Sequence, residues 1–287
     1  LIIIPKHFYT PITDIKNVKN SKLLNKVDFK EINFNNKKNT KYFLNLRNNI
    51  KYFEKKNNYK FAVENNLGLG YGDIDSIILQ SVVKKNQFKN ILEIGSGAST
   101  YCIIKALNEK KNFKMTIIDP YPSHKLKNFL KLKKNIKLIE RKLEEVNHNI
   151  IFNLKPDFVF IDSSHTVKQL NDVDFIYTRL LPKIKNCIIH IHDIFFPYLY
   201  QCNLKSSPWY QWSETQLLYC YLLNNNKSKI MLDTSQLFHN NKKILKKILP
   251  KFKLAKFDKG FRLDSDFMNQ RNDRDIPSYP ASIYLKQ

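Results

Sequence analysis

The chain has 287 residues, with 49 Lys+Arg against 25 Asp+Glu, a formal net charge of +24, 43% apolar and 13% aromatic residues. A chain of this length can bury roughly three quarters of its unfolded surface, so neither disulfides nor a structural metal are needed to hold a core. The aromatic content excludes a disordered polymer, and apolar runs such as Leu1–Ile4 are far shorter than the roughly 20 residues that span a bilayer.

Of the basic residues 43 are Lys and only six are Arg, and Asn occurs 33 times. Lys, Asn and Ile are what an A/T-rich coding sequence over-produces, whereas a nucleic-acid surface leans on Arg for bidentate contacts. The charge therefore reads first as solvated lysine rather than as a polyanion site. The four cysteines (Cys102, Cys187, Cys202 and Cys220) form no Cys-x-x-Cys pair, as expected of reduced thiols in a cytoplasmic protein. The sequence opens on Leu1 rather than Met and is silent about any leader before it.

Residues 1–40, with Pro5, Pro11 and many polar side chains, read as an extended arm. Phe43, Leu46, Ile50 and Phe53 recur at helical spacing and predict a helix over 41–59. Gly68, Gly70 and Gly72 break the chain before a helix predicted over 73–85, with Ile74, Ile77, Ile78 and Val82 on one face. From residue 90 short apolar runs alternate with helical stretches. The runs are 90–95, 115–119, 136–139, 157–162, 187–193 and 230–232; the helices are 99–109, 123–132, 166–182, 212–224 and 240–249. This alternation predicts an α/β fold, a doubly wound, mostly parallel sheet with helices on both faces. Residues 281–285 add a last strand. The expected organisation is an N-terminal arm and helical extension over 1–72, packed on a single α/β domain over 73–287.

The most informative segment is Ile91-Leu92-Glu93-Ile94-Gly95-Ser96-Gly97-Ala98-Ser99-Thr100, a buried strand ending in a Gly-x-Gly turn and a helix. Glycine there permits φ > 0 and lets a ligand approach the backbone. Dinucleotide enzymes place a third Gly where this chain has Thr100 and use the helix N-terminus for a pyrophosphate. An acid two residues before the first glycine, here Glu93, would repel a pyrophosphate but suits the ammonium of S-adenosylmethionine. Asp119 ends the second strand, where an acid can accept from both ribose hydroxyls. The fourth and fifth strands end in Asp162-Ser163-Ser164-His165 and His190-Ile191-His192-Asp193, and ligands of open α/β sheets bind at such strand ends. Asp162, His165, His192 and Asp193 are thus site candidates, for a divalent metal or for a His general base. His190 reads as a core imidazole.

Residues 92–100 and Ile118-Asp119-Pro120-Tyr121-Pro122 resemble class I S-adenosylmethionine-dependent methyltransferases. The segments 160–165 and 190–195 resemble the bacterial branch similar to the macrocin O-methyltransferase-like group, as do His7–Ile12, Gly72–Asp75 and Trp212–Leu218. The resemblance implies a Rossmann-like seven-stranded sheet, its last strand antiparallel and inserted beside the sixth. It implies cofactor contacts at Glu93, Gly95, Ser96, Gly97, Ser99, Asp119 and Asp162. It also implies divalent-ion ligands, such as for Mg²⁺, at Asp162, His192 and Asp193, with His165, His192 and Asp193 as catalytic residues. An acid pair is usual at the fifth-strand tip of metal-dependent relatives; His192-Asp193 departs from it, and imidazole disfavours hard Mg²⁺. Trp209, Tyr210 and Trp212 are candidates to stack on an acceptor. The expected activity is methylation of a small-molecule or glycan hydroxyl. The competing reading is a nucleic-acid-binding protein or RNA methyltransferase using the lysines, against which stands Asp162-Ser163-Ser164-His165 where base methyltransferases carry an Asn-Pro-Pro-Tyr-like segment.

Overall fold

The computed structural model describes residues 10, 12–14, 18, 24–68, 70–107, 112–207, 209–264 and 277–287. The predicted segments 1–4 and His7–Tyr9, together with Leu69, lie outside them.

Six parallel-type strands alternate with helices: β1 (Asn90–Ile94), β2 (Lys114–Ile118), β3 (Ile136–Ile139), β4 (Phe158–Ile161), β5 (Ile188–Ile191) and β6 (Lys229–Asp233). A short hairpin, β7 (Phe257–Asp258) and β8 (Phe261–Arg262), precedes β9 (Ile283–Lys286). The seven-stranded sheet has the order β3-β2-β1-β4-β5-β9-β6, with β9 antiparallel to both β5 and β6. The last strand thus slots between the fifth and sixth, as expected. Strand order reverses between β1 and β4, which opens a crevice at their carboxyl ends.

The inner strands β1, β2, β4 and β5 are mostly apolar because both faces are covered. Ile91, Met115, Ile117, Phe158 and Phe160 join one core with α4 (Asp73–Asn86) and α5 (Ala98–Ala106). Leu92, Ile94, Val159, Ile161, Ile189 and Ile191 join the other, with Val173, Ile176, Leu180 and Leu218. By alternation Glu93, His190 and His192 point to the first face. His190 is fully buried, its ring stacked on Phe160 at 4.5 Å, and burial holds it well below the usual imidazole range. It is a neutral core residue, as the sequence suggested.

The structure revises several predicted boundaries. The single helix over 41–59 is three: α1 (Asn36–Asn45), α2 (Arg47–Lys56) and α3 (Asn58–Glu64), so the arm becomes helical before residue 40. Asn57 adopts φ 50°, a left-handed step between α2 and α3 that no continuous helix contains. The helix expected over 166–182 starts only at α8 (Asp172–Phe175), continued by a π-turn over Ile176–Leu180. Before it the Ser164 amide donates to Asp172 Oδ2 and Asn171 Nδ2 donates to Thr166 O; such side-chain bonds compete with helix. The span α10 (Thr234–Ile248) is two helical stretches joined at a kink at Asn241 (φ −134°, ψ 39°). The predicted 240–249 falls on the second; the first, not predicted, has a buried polar opening turn capped by Asp233, which accepts from the Gln236 amide at 2.9 Å. Among the described residues the further helices are α6 (His124–Leu130), α7 (His148–Asn153) and α9 (Glu214–Leu222).

Candidate active site

Backbone hydrogen bonds run past the strand ends and fix the site loops in a row. The Gly95 amide donates to Ile118 O, Asp119 to Ile139 O, Asp162 to Ile94 O and His192 to Ile161 O, at 2.9–3.1 Å. Gly95, Asp119, Asp162 and His192 are therefore each held by the strand beside their own.

At the first turn Gly95 has φ +79°, and a Cβ there would lie 2.4 Å from Asp162 O. Only glycine satisfies both demands. The Gly97 amide donates to Thr100 Oγ1 and opens α5. Glu93 is fully buried; its Oε1 accepts from Ser99 Oγ at 2.9 Å, while Oε2 has no hydrogen-bond partner. Burial raises the carboxyl to about 8, against the bonds from Thr100 and Ser99. A buried carboxylate oxygen without a donor is costly, and a cationic group in the crevice would satisfy it. Asp119 accepts from Ser96 Oγ and from the Tyr121 amide, which ties the two turns together and leaves lone pairs for further donors. These residues fit the ammonium and ribose ends of S-adenosylmethionine.

Asp162, His165, His192 and Asp193 converge: one ligand-type atom from each lies within 4.8 Å of all the others. His165 Nε2 is 3.1 Å from Asp162 Oδ1 and 3.6 Å from Asp193 Oδ2; His192 Nδ1 is 3.4 Å and 3.7 Å from the same two atoms. The Asp162 side chain is 29% exposed while the other three are buried, so it is the member that faces solvent. His165 and Asp193 both adopt positive φ, 56° and 52°, which is uncommon outside glycine and recurs at functional sites.

The charges are strongly coupled. Burial opposes the charged form of His165, but hydrogen bonds to Asp162 and Glu214 outweigh it and raise the imidazole well above its ordinary range. His192 is likewise pushed up to about 9, burial being outweighed by the Asp193 and Asp162 carboxylates. Burial would raise Asp162 too, but the His192 charge and the His165 bond hold it below the usual carboxylate range. Asp193 goes the other way, raised by burial.

Three site neighbours, Glu214, Tyr71 and Asp75, had no individual role in the sequence reading. Glu214, at the start of α9 and 1% exposed, accepts at Oε2 from His165 Nδ1 at 2.8 Å and from Ser163 Oγ at 2.6 Å. It sat inside the Trp212–Leu218 resemblance, but nothing in its spacing pairs it with His165. Tyr71 is buried with its ring 4.6 Å from His192 and its hydroxyl 3.3 Å from His190 Nε2. Asp75, buried on α4, accepts from the Ala281 amide and Ser282 Oγ and so clamps α4 to the entry of β9; burial raises it to about 6. Trp212 packs 4.9 Å from the His165 ring, and the Ser213 and Glu214 amides donate to His165 O. Trp209 is 68% exposed.

Residues 92–194 match the family model described as "Methyltransferase domain". The match takes in about a third of the chain, from within β1 to the turn after β5, and the sheet that carries it has the Rossmann-like order β3-β2-β1-β4-β5-β9-β6. Among solved structures, the chain is similar to the SAH-bound methyltransferase PaMTH1 of Podospora anserina, at 16% identity over 56% of this chain and 74% of that one, with a TM-score of 0.43. The O-methyltransferase TomG of Streptomyces achromogenes, in complex with SAM, is 14% identical over 57% and 73%, with a TM-score of 0.40. The plantazolicin methyltransferase BamL, in complex with a triazolic desmethylPZN analog and SAH, is 14% identical over 86% and 96%, with a TM-score of 0.40. No curated protein sequence matches the chain.

Proposed function

We propose that this protein transfers the methyl group of S-adenosylmethionine to a hydroxyl oxygen of a small-molecule or glycan acceptor. The observation that carries the reading is the row of groups at the ends of β1, β2, β4 and β5. Glu93, with its free oxygen, is on β1 just before Gly95; Asp119 follows β2 on one side, and the Asp162–His165–His192–Asp193 cluster follows β4 and β5 on the other.

Bound cofactor supplies an already activated sulfonium methyl, so the protein's task is to place an acceptor oxygen in line and to receive its proton. Glu93 and Asp119 anchor the two ends of the cofactor, and the glycine turn with Ser96 and Ser99 gives it room. Asp162 O packs on Gly95, so the acceptor cluster and the cofactor turn form one wall. His165, His192 and Asp193 face the acceptor. A general base must begin deprotonated, and both imidazoles favour their charged form; Asp193, raised by burial, is the better match for accepting a proton, a role worth roughly 10²–10⁴-fold. The cluster also fits a divalent ion, which would take the place of the imidazole protons: His192 Nδ1 is buried 3.4 and 3.7 Å from Asp162 Oδ1 and Asp193 Oδ2, with no hydrogen bond of ordinary geometry to either. Such an ion, held by Asp162, His192 and Asp193, would supply Lewis acidity toward the acceptor hydroxyl.

On the same reading, residues 1–72 are an extension packed on a methyltransferase domain spanning 73–287, working in the cytoplasm. No described helix is long and apolar enough to cross a membrane. The test is calorimetric titration of S-adenosylmethionine: Asp119→Ala lowers the affinity at least about tenfold if its carboxylate holds the ribose, since a charge-assisted bond contributes roughly 1.5–3 kcal/mol. Unchanged affinity overturns the reading.

A further inference from the structure

The three ligands implied by the resemblance, Asp162, His192 and Asp193, leave out His165, and its geometry matters. Donor atoms held about 2.0–2.2 Å from one ion at tetrahedral angles lie roughly 3.3–3.6 Å from each other. Four separations within the cluster, between each imidazole nitrogen and each carboxylate oxygen, are 3.1, 3.4, 3.6 and 3.7 Å. His165 contributes two of them and is as close to the carboxylates as His192 is.

The far side of the His165 ring is also committed. Its Nδ1 lies 2.8 Å from Glu214 Oε2, in a carboxylate that is 1% exposed and steadied by Ser163 Oγ. A carboxylate behind an imidazole is the arrangement that sets the tautomer and aims the other nitrogen at a metal. His192 Nδ1 is buried beside the same two carboxylate oxygens, at 3.4 and 3.7 Å, without a hydrogen bond of ordinary geometry to either.

We propose that His165 is a fourth ligand, with Asp162, His192 and Asp193, of a divalent transition-metal site, and that Glu214 is the positioning residue that holds the His165 ring in its ligating orientation. Two imidazoles among four donors select borderline ions such as Co²⁺, Zn²⁺ or Fe²⁺ over Mg²⁺, which prefers oxygen and retains water. The inference deepens the acceptor-side reading above and does not depend on the identity of the acceptor.

The test uses the full chain, stripped with a chelator and titrated with Co²⁺ while the visible d–d bands and thermal unfolding are followed. One Co²⁺ per chain is expected, with bands that survive a roughly hundredfold excess of Mg²⁺ and vanish when Zn²⁺ is added. Glu214→Gln should weaken Co²⁺ binding about 10–100-fold, and His165→Gln should also change the band shape. Wild-type protein that takes up no Co²⁺, Mg²⁺ that displaces it, or His165→Gln with the wild-type affinity and spectrum would each overturn the proposal. If His165→Gln does not fold, the amide of Glu214→Gln keeps the shape of the site and reads the same dependence. S-adenosylmethionine titration of the stripped protein separates the two claims: cofactor binding without metal binding sinks only this inference, and metal binding without cofactor binding sinks only the functional reading.

Discussion

Glu214 Oε2 lies 2.8 Å from His165 Nδ1, although the two residues are 49 positions apart and on different loops of the sheet's carboxyl edge. The same carboxylate oxygen accepts from Ser163 Oγ, so one buried acid fixes both the ring and the turn that carries it. Removing one partner of a buried pair leaves the other uncompensated, at a cost of roughly 3–5 kcal/mol. Glu214→Ala is therefore expected to lose about that much stability in chemical denaturation. Glu214→Gln should lose less, because its amide oxygen still accepts from His165. Equal losses for the two would show that the charge, not the hydrogen bond, holds the turn.

The cofactor side has a titration of its own. Glu93 is raised to about 8 by burial, from an ordinary value of 4.5, so below that pH the empty crevice holds a neutral acid. If the ammonium of S-adenosylmethionine needs the carboxylate, binding below pH 8 releases a proton and affinity rises with pH until about 8, then levels. Calorimetry in buffers of different ionisation enthalpy reads the released proton directly. Glu93→Gln should bind more weakly and lose both the proton release and the pH slope.

Much of this arrangement could be read in advance, and the misses share a cause. Strands β1, β2, β4 and β5 stand out because burial on both faces makes them mostly apolar, and the edge strand β3, with Lys137 exposed, still falls on the predicted 136–139. Glu93, Gly95, Asp119, Asp162 and Asp193 were legible because each sits at or just beyond a strand end, where the fold puts its chemistry. The individual roles of Glu214, Tyr71 and Asp75 were not, because they depend on which loop the packing brings to His165, His192 and the start of β9. The first turn of α10 was missed for a related reason: Thr234, Ser235 and Gln236 are polar yet buried, and apolar periodicity does not see them.

Asp233 makes a second prediction about pH, this time about stability. It caps α10, is completely buried, and is raised to about 8 by burial against the backbone bonds from Gln236 and Ser235. A carboxyl raised in the folded state favours the protonated native protein. Its stabilising contribution is full below the ordinary value near 3.8 and is lost as pH rises through about 8. Asp233→Asn retains a capping acceptor and cannot ionise. Its stability relative to wild type should improve steadily between pH 4 and 8 in parallel denaturation series; a constant difference across that range would mean that Asp233 does not titrate there.

The glycine turn is tested most sharply by pairing two glycines that touch it. At Gly95 the φ of +79° and a Cβ only 2.4 Å from Asp162 O mean that Gly95→Ala must move β4's end as well as its own backbone. At Gly68 a Cβ would lie 2.4 Å from Gly97 Cα, so the chain before α4 rests directly on the same turn. The left-handed conformation alone costs a non-glycine residue roughly 1–2 kcal/mol, and overpacking adds about 1–3 kcal/mol. Both variants should therefore unfold at lower temperature. Only Gly95→Ala also shifts Asp162, so it alone should disturb the acceptor cluster; Co²⁺ binding that is weakened in Gly95→Ala and kept in Gly68→Ala is the expected result. The reverse pattern would place the mechanical link between cofactor turn and cluster in the segment before α4 rather than in the Gly95–Asp162 contact.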